Sequence, residues 1–164
     1  MADSLESKHQ EEADSLLLQV FQMAITHQIT DSVLLADIYH RQGKYFDRHQ
    51  KYKDALLSFD KSISIKINIS VPDSALIAQS YNYKGIAYMR LYYFDSALIC
   101  FNQVLELLSE ETKFKRDLYD VNLNIGITHA ITGNYDKAYS YFQKAYNILQ
   151  TSDIVKDSLL VAGF

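Results

Sequence analysis

Five histidines (His9, His27, His40, His49 and His129) and one cysteine, Cys100, are the residues of this 164-residue chain best suited to acid–base, metal or nucleophilic chemistry. Each of those chemistries needs partners at a fixed spacing. His40 and His49 stand nine residues apart, about half a turn out of phase on a helix, and do not share a metal-binding face. The other histidines are scattered. No GxxxxGK, HExxH, CxxC or GxSxG pattern occurs. Cys100 lies between Ala97 and Phe101 in an apolar stretch, so it reads as a packing residue, and a single cysteine excludes an internal disulfide. The expectation is a chain without catalysis, metal or cofactor.

The elements that hold these residues follow from a repeat. Gly43, Gly85 and Gly126 are each followed after twelve residues by an alanine (Ala55, Ala97, Ala138) and four later by a phenylalanine (Phe59, Phe101, Phe142). Self-similarity at a fixed period signals a repeat architecture. Around each glycine the apolar spacing is helical, and a mid-helix glycine costs roughly 1 kcal/mol against alanine. Three such glycines in one register imply close approach of a second helix, with the alanine as the expected counterpart and the phenylalanine one turn further on the same face. Helix, short turn and antiparallel helix is the simplest unit that satisfies these contacts.

These residues resemble the tetratricopeptide repeat family. The matching positions are an aromatic four before the glycine (Tyr39, Tyr81), a ring three after it (Phe46, Tyr88), a turn ring (Tyr52, Phe94, Tyr135), and then alanine and phenylalanine; GNYDKA at 133–138 is similar to the family's turn. The third copy departs from the pattern, with Asn122 in the first aromatic position and His129 in a ring position. The resemblance implies an all-α, right-handed α-solenoid of antiparallel helix pairs. The period here is 41 or 42 residues against the family's usual ~34. Since the Gly-to-Ala step stays at twelve, the added length falls between each alanine and the next glycine. Such long repeats are similar to those of bacterial regulatory proteins.

The family lines its concave groove with the first helix of each unit. Carried over, that implies a site formed by Asp37, His40, Lys44, Asp47 and Arg48, then Gln79, Asn82, Ile86, Met89 and Arg90, then Asp120, Leu123, Ile127 and Ile131. The first group is polar and the last largely apolar. The family's carboxylate clamp is not reproduced, because Tyr83, Asp120 and Asn124 stand where asparagine, lysine and arginine belong.

Composition agrees with an ordinary soluble domain, 48% hydrophobic and 22% charged. A net charge of −4 and no basic stripe argue against nucleic acid, and no apolar run reaches the ~20 residues of a membrane span. In order, the chain reads as one domain over 1–164. It has a half repeat at 3–27, opened by a capping box of Asp3 and Glu6, full repeats at 31–67, 73–109 and 113–150, and the start of another at 154–164. Asp-Ser pairs at 31, 73 and 157 keep the period, with Thr30 and Asp31 as caps at the first and Pro72 just before the second.

The function expected is a non-catalytic scaffold for a protein or peptide ligand, cytoplasmic, or periplasmic if a signal peptide was removed. Alternatives are a peptide-sensing input domain, or an accessory domain of an enzyme such as a caspase-like protease. A homodimer through residues 119–164 is a further expectation, because a repeat array needs its last apolar face covered.

Overall fold

The structure, a computed structural model, describes residues 2–26, 31–108 and 114–151, with side chains from Ala13 onward except that of Ile25. The Asp3–Glu6 capping box, Thr30 and the segment 154–164 lie outside these descriptions. Among the described residues there are seven helices and no strand: α1 (Ala2–Thr26), α2 (Ser32–Arg48), α3 (Tyr52–Asn68), α4 (Ser74–Arg90), α5 (Phe94–Leu108), α6 (Lys115–Ile131) and α7 (Tyr135–Gln150). By internal packing the chain divides into two compact units, Met1–Asp73 and Ser74–Phe164.

In the first unit α2 packs against α3, and α1 against α2. Asp31 caps α2, its Oδ1 accepting from the N–H groups of Val33 at 2.9 Å and Leu34 at 3.0 Å. These are donors the helix cannot satisfy itself. Ala36, Ala55, Phe59 and Ile63 are buried between α2 and α3. The buried Ser62 hydroxyl donates to the Ala36 carbonyl at 2.8 Å, pinning the pair. Phe21, Ala24 and Ile38 form a smaller cluster where α1 joins.

The second unit holds α4 against α5 and α6 against α7, with α6 also packed on α5 and touching α4. Its core is Ala78, Ala97, Phe101, Val104, Leu108, Val121 and Ile125. Cys100 of α5 is also buried.

The glycines are where the structure departs from expectation. A β-carbon added at Gly43, Gly85 or Gly126 would lie 2.5 Å from Cε1 of Phe59, Phe101 or Phe142, respectively, and its three nearest neighbours would all be atoms of that ring. The ring sixteen residues on, rather than the alanine at twelve, occupies the space that the missing side chain leaves. The alanines are buried too, but the flat ring is the larger object and takes the gap.

Each hairpin turns through a residue in the left-handed region: Gln50 at φ 60°, Tyr92 at φ 61° and Gly133 at φ 78°. The same two backbone bonds close each corner. Lys51, Tyr93 and Asn134 N–H groups donate to Phe46, Tyr88 and His129 carbonyls at 2.8, 2.9 and 2.8 Å, and Gln50, Tyr92 and Gly133 donate to Asp47, Met89 and Ala130. This is a Schellman ending, for which glycine is the unstrained residue.

The ring contact is testable by substitution. Gly85→Ala should destabilise by roughly 1–3 kcal/mol despite the better helix propensity of alanine, because Phe101 is fully buried and has nowhere to go. Gly126→Ala should cost less, since Phe142 is 36% exposed and can turn outward. Denaturation midpoints in the opposite order would refute the ring assignment. The corner carries its own test: Tyr92 is 78% exposed at positive φ, so Tyr92→Gly should raise stability by roughly 0.5–1 kcal/mol, whereas strain-free tyrosine there predicts a loss.

Candidate functional site

The groove residues inferred from the sequence fall in both units. In the first unit the side chains expected to face a ligand are largely committed to the fold. His40 and Asp47 are buried, which corrects their assignment to an open groove. His40 packs its ring 5.8 Å from that of Phe59, so the helix face that carries it turns into the α2–α3 seam. Arg48 is held by α1, its Nη2 2.8 Å from Asp14 Oδ1, and His49 approaches the other oxygen of the same carboxylate at 3.3 Å. Asp37 accepts from Arg41 Nε at 2.7 Å along α2. Lys44 is half-buried near His40.

Around His40 the charges are close-set. Lys66 of α3 is buried, and burial lowers its ammonium from the ordinary lysine value, with Asp37 and then Asp73 opposing the shift. His40 is pushed down to about 4, first by burial and then by Lys66 and Lys44, against the pull of Asp37. Near neutral pH the imidazole is therefore uncharged, and it serves packing rather than proton transfer.

In the second unit the inferred residues are all exposed or half-buried. α6 lies beside α4, and Asn124 Nδ2 donates to Asn82 Oδ1 at 3.0 Å, which fixes the register of the two first helices. One turn on from this bond, Ile86 and Met89 of α4 pack partly on the core, while Gln79 and Arg90 are exposed. On α6, Leu123 is half-buried, Asp120 is exposed, and Ile127 and Ile131 stand 40% and 57% exposed, an apolar pair one helical turn apart. Together they form an apolar strip bordered by the Asn82–Asn124 amide pair.

Sequence reasoning missed a basic cleft on the opposite side of α6. His129, a buried residue, stacks near Tyr141 with ring centroids 5.8 Å apart, and the Lys144 ammonium sits 4.2 Å above the Tyr141 ring. Burial and then Lys137 hold the His129 imidazole below its usual value. The only signal in the sequence was a histidine in a ring position.

Among the described residues no group of three or more His, Cys, Asp and Glu side chains gathers as a metal site, and no helix is long and apolar enough to cross a membrane. Residues 119–148 match the tetratricopeptide repeat family. No curated protein matches the chain. Among solved structures it is similar to the tetratricopeptide-repeat domain of Arabidopsis FLU, with 18% identity, a TM-score of 0.65, and coverage of 74% of this chain and 99% of that one. It is also similar to MamA (17% identity, TM-score 0.63, covering 82% of this chain and 67% of that one). BtubC from P. vanneervenii gives 13% identity and a TM-score of 0.68, covering 89% of this chain; the present chain spans 58% of BtubC. At these identities the likeness is one of fold, an all-α helical-repeat solenoid.

The depressed His40 value fixes the sign of a pH effect. An unfolded histidine binds its proton near 6.5 and the folded one only near 4, so between those values the unfolded state holds more protons and stability falls as pH falls. The loss should total up to about 3 kcal/mol by pH 4 and be absent above pH 7. Unfolding free energies measured from pH 7.5 to 4 should show this slope, and His40→Gln should flatten it; an unchanged slope would place the titration elsewhere.

Proposed function

We propose that this tetratricopeptide-repeat chain is a non-catalytic interaction scaffold whose ligand surface lies on α4 and α6. The repeat itself supports protein–protein interaction as the general role. The observation that carries the finer reading is the pair Ile127 and Ile131, exposed on α6 one turn beyond the Asn124–Asn82 bond. An apolar pair left open to water on a repeat's first helix carries a cost in hydration, which a partner's apolar side chains would recover. Ile86, Met89 and Arg90 extend the strip on α4, so the ligand we infer is a short extended or helical peptide with apolar anchors.

The long repeat resembles those of bacterial regulatory proteins, and we place the scaffold in such a protein, in the cytoplasm, with peptide sensing as the second reading. Self-association through residues 119–164 remains part of the proposal. Tyr139 and Tyr146 of α7 are exposed by 64% and 58%, and Phe142, unlike Phe59 and Phe101, is not fully covered.

Selection from a random peptide library displayed on phage tests the surface. Selected peptides should share a pair of apolar residues, and Ile127→Lys should weaken them roughly tenfold or more, about 1.4 kcal/mol, without loss of helicity. Peptides that bind the Ile127→Lys and Ile131→Lys variants as well as the parent would refute the assignment.

A further inference from the structure

We propose that the cleft walled by α5, α6 and α7 is a second binding site, for an acidic segment of a partner protein. The cleft has a volume of about 480 Å³. That lies within the range of about 300–1,000 Å³ typical of ligand pockets, and it is far larger than a single inorganic anion needs. Lys137 and Lys144 of α7 line it, together with the Ser140 hydroxyl and the Asn102 amide, and among the described residues no carboxylate does. On a chain of net charge −4 this is a local reversal of sign. Leu98 and Ile125 supply its apolar part, so the cleft matches a carboxylate carried beside an apolar side chain rather than a free ion.

His129 gives the independent mark of a ligand. The residue lines the cleft, is only 9% exposed, and its Nδ1, sealed from solvent, has no hydrogen-bond partner among the described residues. A buried polar atom in that state has lost its water without compensation, and native structures retain few of them. A small turn of the ring toward the cleft would bring that nitrogen to a ligand oxygen or N–H and remove the cost. The equivalent positions of the other repeats hold Phe46 and Tyr88, so the imidazole belongs to the third repeat alone. The Lys144 ammonium is already held over Tyr141 at 4.2 Å, which limits the ordering a bound carboxylate must impose on it.

This site is separate from the α4–α6 strip. His129 follows Ile127 by two residues and precedes Ile131 by two, about 200° round the helix in each direction, so the two surfaces leave α6 on opposite sides. One helix can thus serve two partners, or two segments of one partner.

The experiment uses a fluorescent peptide of alternating glutamate and leucine, with the same peptide carrying glutamine for glutamate as control. Anisotropy titration of the full chain should show binding of the first and at least roughly tenfold weaker binding of the second. The paired change Lys137→Gln with Lys144→Gln, both at exposed positions, should abolish the difference while helicity is retained; Ile127→Lys should leave it intact. The His129 ring resonances should move on binding. Equal affinity for the two peptides, an unchanged affinity in the double-lysine variant, or displacement of the peptide by millimolar inorganic phosphate would each overturn the proposal. A response confined to Ile127→Lys would overturn it too and would leave the α4–α6 reading standing.

Discussion

The contact of a phenylalanine ring with a bare helix backbone is the constraint on which the rest of this structure depends. Three times, a ring from a second helix lies so close to a glycine of the first that even a methyl group would reach to 2.5 Å of its carbon atoms. Close approach sets the distance between the helices, and that distance decides which neighbours are buried. Ala55 and Ala97 are fully enclosed because nothing larger fits beside the ring, and Ser62 can bridge to a main-chain carbonyl only because the helices are near enough for 2.8 Å. Glycine is a poor helix former, and the helix tolerates it because the ring's burial returns more, about 2–3 kcal/mol for a phenylalanine.

The same constraint ranks the repeats. Where the ring is covered on its far side by a following helix, as at Phe101 beneath α6, it is part of a continuous core with Val121 and Ile125. Phe142 makes the same glycine contact but keeps a third of its surface open. Contact within a hairpin and cover between hairpins are thus separate sources of burial. Repeat proteins show this division generally, since each unit leans on its neighbours for the second part.

Much of the fold was legible because glycine, alanine and phenylalanine recur at fixed steps, with each glycine on the first helix of a pair and its alanine and phenylalanine on the second. The partner of each glycine was misread, because sequence spacing places alanine and ring on one helix face and does not say which projects further. The site was less legible. Offsets from the glycine placed Ile127 and Ile131 on an open face, but they also placed His40 and Asp47 there, and both turn inward. Burial of a histidine against Phe59 depends on how two helices roll together, which no spacing on one helix encodes. The basic cleft was hidden for a related reason: its residues run from Leu98 to Lys144 on three helices and form no motif. Gln50 and Tyr92 at positive φ left no trace either, as only Gly133 is of the type that advertises such a corner.

The tight corners have a consequence for how the chain comes off the ribosome. Ring and glycine are only sixteen residues apart, joined by a turn of fixed geometry, so each hairpin holds its whole central contact within a short stretch of newly made polypeptide. Low sequence separation makes such contacts fast to form. A hairpin can close during the seconds that elongation spends on the next one, at about 5–20 residues per second. A closed hairpin still shows the apolar face that the next one covers, so nascent apolar surface passes forward one hairpin at a time.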